Sequence, residues 1–507
     1  MMKYENPVIS GFYPDPSVCR VGDTYYLVCS SFHYFLGVPL FESHDLVCWK
    51  QIGHVLTRKE QLPLTGADSR GGIYAPTIRY YDGRFYMITT NCSGKGNFLV
   101  WTDDIHGEWS DPVWLSSDGI DPSLYFEGAH CYFMRNHSMQ ERACILQHEI
   151  NPETGQQLGE EKVLWYGTGG RYLEAPHLYC IRGTYYLLAA EGGTEYGHME
   201  VYARGTSPEG PFTTAPDNPL LTNRNIGDYQ LQGVGHGDLV EDPAGNLWMV
   251  HLAFRQIAQW CTYHHIGRET CLVPVTMQPD GWLTAGDEQK ISRLVIETDR
   301  LAACGVQERT HHLTFAGSEP GKQWCWLRNP LPENYDVSKW QDGILRMKGS
   351  AWTLDEDQNS NTFLGTRQTQ LKGQIRVQAE VAEGEAGVTI YMDQRNHYDL
   401  MLRRKEDQLL LALRKKIGDM DYVAWEQEIG QGAEPVVLEI TAEPDKYYFY
   451  AQKGKERYEL GTGETRLLSS EVAGGFTGVM IGLFAQKCEK WATFREFQYD
   501  AERTAGW

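Results

Sequence analysis

The chain of 507 residues is poor in the features that mark membrane, metal and nucleic-acid proteins. No apolar run approaches the roughly 20 residues that a bilayer-spanning helix needs. The opening stretch MMKYENPVISGFYPDPS is polar and carries no apolar signal-peptide segment. Twelve cysteines are present, yet none forms a CxxC pair, which speaks against a disulfide framework or a zinc site. Cys19, Cys29, Cys92, Cys131, Cys144 and Cys180 mostly lie in strand-like runs, where reduced thiols pack as small core residues. No oxygen-rich loop of the kind that binds calcium appears. The expectation is therefore no required cofactor and no dedicated metal site, with Ca²⁺ left open. Positive charge is also scarce. The 46 Lys and Arg stand against 67 Asp and Glu, a formal charge of −21, and no basic cluster reverses this locally. Nucleic acid and anionic membrane are poor partners for such a surface, whereas a neutral molecule such as a sugar is not opposed. Together these absences lead us to expect a soluble cytoplasmic protein, with homo-oligomer formation left open.

Long helical patterns are lacking as well. Aromatic residues at 12% and 52 glycines favour β-structure with many tight turns. Five stretches share one pattern: DPSVCRVGDTYYLV from Asp15, APTIRYYDGRFYMI from Ala75, DPSLYFEGAHCYFM from Asp121, EAPHLYCIRGTYYLL from Glu174 and HGDLVEDPAGNLWMVH from His236. Each has a small or acidic start, a short apolar run, a turn glycine (Gly22, Gly83, Gly128, Gly183, Gly245) and an aromatic-rich run. That is a β-hairpin written five times, at intervals of about 45–65 residues that fit one hairpin per propeller blade. Residues 1–300 thus read as a five-bladed β-propeller. The segment from about 292 to 315 lacks the repeat and reads as a connector. From 316 to 507, short alternating runs such as GQIRVQAEVA, HYDLMLRRK and VVLEITAE recur about every ten residues, as in a β-sandwich. The fold class is all-β, in two domains, as the length leads one to expect.

In a propeller the starts of equivalent inner strands converge on one axis, so Asp15, Asp121 and Glu174 should meet in one funnel. Asp before Pro is a common turn residue, but Ala75 and Gly237 fill the same place in other repeats, so the turn does not demand an acid. Glu174 stands one residue earlier than the two aspartates, and one step along a strand reverses side-chain direction. Two acids on one side and a third opposite is the arrangement of an inverting glycosidase, whose carboxylates stand about 6.5–9.5 Å apart to admit a water.

The phrases NPVISGFYPDPSVCRVGDTYYLV, GGIYAPTIRYYDGRFYM, GIDPSLYF, YLEAPHLY and GHGDLV, in that order, strongly resemble glycoside hydrolase family 43. WLRNP, YMDQRNHYDL and GGFTG resemble the sandwich attached in its β-xylosidase-type members. The resemblance implies Asp15 as general base, Glu174 as general acid, and Asp121 as the residue that raises the pKa of the acid and orients it. It also implies that Arg268 contacts sugar hydroxyls, the alternative being a surface pair with Glu269. His236 would lie beneath the site or help hold a cation or water there, or be a buried structural histidine. Phe32 and Tyr74 would face the sugar, with Tyr74 replacing the Trp often found there, Thr194 would line the pocket, and Phe476 would reach over from the sandwich. The implied activity is inverting exo-hydrolysis of terminal β-D-xylosyl residues, and of α-L-arabinofuranosyl residues as a second or main activity, on hemicellulose-derived oligosaccharides. A sugar-binding propeller without turnover is the rival from another class. A retaining fructosidase ranks lower, because Ile120 stands where those enzymes carry Arg before the second acid.

Overall fold

A computed structural model describes residues 2–116, 118–139, 142–257, 260–301, 305–357, 359–406, 408–430 and 434–503. The N-terminal part forms five separate four-stranded antiparallel sheets. Their first strands are Ser17–Val21, Thr77–Tyr81, Ser123–Glu127, Glu174–Ile181 and Leu231–Glu241. Each first strand adjoins the next around a closed ring, and the last returns to the first. The repeated hairpin is the inner strand pair of every blade. Two of its turns, Asp82–Gly83 and Arg182–Gly183, have positive φ at both central residues, the twist that suits a two-residue hairpin loop.

Second strands are sandwiched between neighbouring blades. Leu247–Arg255 is buried along its whole length, so it reads as a continuous apolar run instead of an alternating one. Each blade-to-blade seam holds its own apolar cluster. The seam that closes the ring joins Leu27 and Phe41 of blade 1 to Trp248, Val250 and Leu272 of blade 5. Below the funnel, Asp238 of blade 5 is fully buried. It accepts hydrogen bonds from Ser17 Oγ at 2.5 Å, the Val18 N–H at 3.0 Å, Arg79 at 2.8 and 3.1 Å, and the Tyr179 hydroxyl. Burial pushes this carboxyl up, but the Arg79 guanidinium overrides it and holds the group well below the usual range. One side chain thus ties blades 1, 2 and 4 to blade 5. Breaking a buried pair on one side strands the other charge. Asp238→Asn is expected to lower stability by about 3–5 kcal/mol, read from denaturant midpoints; an unchanged midpoint would rule out the latch.

The C-terminal part is a sandwich of an eight-stranded and a six-stranded sheet. Val436–Ala442 alternates buried and half-buried positions over a core that includes Trp340, Phe449 and Phe494. Strand Thr310–Thr314, inside the connector read from the sequence, pairs with Ala492–Glu502 of this sandwich, and Val295–Thr298 pairs back to Met2–Glu5. The central strands of the six-stranded sheet are covered on both faces, while its edge strand Met420–Glu428 is exposed. Its outer face presents Tyr391, Met401, Met480 and Phe484 to Phe12, Phe32 and Tyr34 of the propeller. That contact seats the sandwich against the end of the propeller where the acids gather. No helix of the described residues is long and apolar enough to cross a membrane.

Candidate active site

Four of the five repeats pass through the left-handed region at the same position: Asp15 at φ 55°, Asp121 at 52°, Ala175 at 53° and His236 at 55°. Non-glycine residues rarely sit there, and such strain gathers at functional sites. In blades 4 and 5 the kink coincides with a register shift in the inner hairpin. Glu174 precedes the kinked residue where Asp15 and Asp121 are the kinked residue, and this difference gives it a separate approach to the same pit.

Asp15 is 5% exposed. Its Oδ2 accepts from Ser30 Oγ at 2.5 Å and its Oδ1 from Arg268 Nη1 at 2.8 Å; His236 Nδ1 lies 3.7 Å from Oδ1. Burial pushes the carboxyl up, but Arg268, His236 and the Ser30 hydrogen bond together bring it below the ordinary carboxylate value. Glu174 goes the other way. Burial, and then the negative charge of Asp15, raise it to about 7 against the pull of Arg268. Asp121 is also raised, first by burial, then by Glu174 and Asp15, with the Ala175 N–H opposing. The sequence-based reading gave the raising of Glu174 to the charge of Asp121. Burial leads instead, followed by the charge of Asp15; the influence runs the other way, Glu174 raising Asp121.

Arg268 is buried, and its partner is not Glu269. Glu269 is held by Arg255 at 2.7 and 2.9 Å. Arg268 instead donates to Asp15, to Thr194 Oγ1 at 2.9 Å and to the Phe476 carbonyl at 3.2 Å. Burial, outweighing the attraction of Asp15, keeps the His236 imidazole below its usual value. The aromatic wall is continuous: Phe32 lies 5.2 Å from Tyr74 and 6.2 Å from Phe476 between ring centroids, the latter pair stacked at 20°. Gly72 makes this wall possible, since a Cβ there would stand 2.1 Å from the Phe32 carbonyl oxygen. All nine sequence-picked residues thus fall in one neighbourhood, six of them joined through Arg268 and the ring contacts.

Three contributors escaped sequence reading. Ser30 orients Asp15, and its signal is only a serine pair after an apolar strand. Phe12 backs Phe32 at 5.6 Å. Glu471 of the sandwich accepts from the His264 N–H at 3.0 Å, from His264 Nδ1 at 2.9 Å and from the Tyr196 hydroxyl at 3.0 Å. It fastens the strap carrying Phe476 to the loops that carry Thr194 and Arg268. Among the described residues, no three His, Cys, Asp or Glu cluster closely enough to hold a metal ion.

A carboxylate held ionised and a second held protonated, in one pit walled by aromatic rings and an arginine, can activate water and protonate a leaving oxygen. Fold and site define a propeller glycoside hydrolase. The family model for glycosyl hydrolases family 43 matches residues 4–283, and that for the β-xylosidase C-terminal concanavalin A-like domain matches 312–500. The chain therefore belongs to glycoside hydrolase family 43. It is 39% identical to a non-reducing end α-L-arabinofuranosidase of Bacteroides ovatus, over 95% of this chain and 91% of that one. It is 35% identical to a xylosidase/arabinosidase of Butyrivibrio fibrisolvens, over 96% of each. The crystal structure of a xylan β-1,4-xylosidase from Bacillus halodurans superposes with a TM-score of 0.90 at 30% identity, covering 98% of this chain and 100% of that one.

Proposed function

We propose that Asp15 is the general base and Glu174 the general acid of an inverting exo-glycosidase that releases terminal β-D-xylosyl units from short hemicellulose-derived oligosaccharides. The observation that carries this reading is the opposite displacement of two carboxyl groups in one pit, Asp15 downward and Glu174 up to about 7. Asp15 takes a proton from water as the water attacks the anomeric carbon. Glu174 gives its proton to the departing glycosidic oxygen on the other face. Asp121, whose carboxyl feels the charge of Glu174, orients it. Arg268 presents fixed donors to sugar hydroxyls and keeps Asp15 ionised, while Phe32, Tyr74 and Phe476 pack against the C–H face of the ring. Phe476, brought by the sandwich, closes one side of the funnel and favours chain ends over internal linkages. No step calls for a cofactor.

Terminal α-L-arabinofuranosyl release is the second reading, supported by the name of the Bacteroides ovatus relative. Initial rates on aryl β-D-xylosides and aryl α-L-arabinofuranosides rank the two. Proton NMR of the first-formed sugar tests inversion: the anomer opposite to the substrate is expected, and retention overturns the role of Asp15 as base. Absence of turnover on both pentosides would leave the site a binder.

The pH profile follows from the same displacement. The base must be ionised, so activity falls only as pH drops below the ordinary Asp range, because Asp15 is lowered. The acid must be protonated, so activity falls as pH rises through about 7, the value for Glu174. The plot of kcat/KM against pH should be a bell with its alkaline limb near neutrality. A profile flat up to pH 9 would deny Glu174 its role.

A further inference from the structure

We propose that Tyr172 is the platform on which the leaving group stacks, and that this leaving group is a pyranose ring of the oligosaccharide; the proposal rests on the assignment of Glu174 as acid. A cleft of about 740 Å³ opens from Glu174, bounded by Asn91, Cys92, Asp118, His137 and Tyr172 among others. Its size falls in the range of about 300–1,000 Å³ usual for small-molecule sites. Asp15, Arg268, Phe32 and Phe476 are not part of its wall. The cleft is therefore on the acid's side of the pit, away from the pocket that holds the terminal sugar.

Tyr172 stands out in this cleft. It is 59% exposed, and its backbone is left-handed at φ 55°, a genuine outlier for a bulky residue. Neighbours hold it there. The Arg171 guanidinium sits 4.9 Å from its ring centroid, and Arg171 is itself paired to Glu195. A Cβ on Gly193 would come within 3.0 Å of the ring, so glycine leaves the ring its place. An aromatic face kept open to solvent by a strained backbone, with an ion-paired cation beside it, offers an apolar platform. Across the cleft, Asp118 pairs with Arg135 at 3.2 Å and with His137 at 2.6 Å, a polar wall suited to ring hydroxyls. One apolar face and one hydroxyl-binding wall match a sugar better than a flat aryl group. Arg171 and Glu195 are positioning residues. Glu195 also follows Thr194, the hydrogen-bond partner of Arg268, so one loop supports both subsites.

The test compares β-1,4-xylobiose with β-D-xylosyl fluoride, whose leaving group is a single atom and cannot stack. Tyr172→Asn removes the ring but tolerates a left-handed backbone. It should raise KM for xylobiose about tenfold and leave xylosyl fluoride within about twofold, and Tyr172→Phe should match the wild type on both. Arg171→Gln, at an exposed side chain, should shift xylobiose KM in the same direction by less, and it stands as the second variant should Tyr172→Asn fold poorly. An unchanged xylobiose KM in Tyr172→Asn and Arg171→Gln, or equal losses on both substrates in folded protein, overturns the platform. Failure of the wild type on both substrates overturns the proposed function instead.

Discussion

Asp15→Asn lowers kcat by about 10³–10⁴-fold on every substrate, whatever its leaving group, while the protein still folds. Folding should survive because Asn is among the few residues at ease at φ 55°. The side chain also keeps its shape between Ser30 and Arg268. The chemistry does not survive. Ionised Asp15 accepts two fixed hydrogen bonds and keeps lone pairs free for a water. An amide must turn its NH₂ towards Ser30 or Arg268, and it cannot take a proton. A second readout separates this from general damage. The charge of Asp15 is the second cause that raises Glu174, and Arg268 opposes it. With that charge gone, only burial opposes Arg268, and the alkaline limb of the residual activity should move below about 7. Single-turnover rates and a pH series on the purified variant check both points, with thermal unfolding as the control. A rate within about tenfold of wild type would remove Asp15 from the base position.

The sequence displayed the inner hairpins because a turn glycine and an aromatic strand are local signals, and the repeat turns them into a ring. It displayed the acids for the same reason, since symmetry carries Asp15, Asp121 and Glu174 to one end of the axis. What it hid is long-range partner choice. Arg268 and Glu269 are neighbours in the chain, yet strand register sets Glu269 against Ala253, within reach of Arg255, which frees Arg268 to face Asp15. Tyr196 meets Glu471 from the other domain, and no local pattern announces such a contact. The strands of the six-stranded sheet were legible, but its docked outer face was not. Gly384–Asp393 is buried almost throughout because one face meets the sandwich core and the other the propeller, so the alternation that marks a half-exposed strand is absent. The displacement of Glu174 was legible in direction, but its first cause, burial, was not.

Glu174→Gln separates the acid from the base through the leaving group. On xylobiose, whose departing alkoxide needs a proton, the variant should lose about 10³-fold or more in kcat. On a dinitrophenyl xyloside, whose phenolate departs unaided, the loss should shrink to about tenfold or less. Attack by water is untouched, because Asp15 keeps Ser30 and Arg268. Gln cannot titrate, so the alkaline limb near 7 should vanish from the profile of the activated substrate. Glu174 is a cause that raises Asp121, so the neutral amide lets Asp121 ionise more readily. The loss on xylobiose should therefore persist below neutral pH. If Asp121 were the true acid, Glu174→Gln would retain a titrating limb and lose both substrates alike, and Asp121→Asn would show the leaving-group dependence in its place. Equal rescue of Asp15→Asn and Glu174→Gln by the activated leaving group would reject the division of labour between them, since only a proton donor to the departing oxygen becomes dispensable when that oxygen departs on its own.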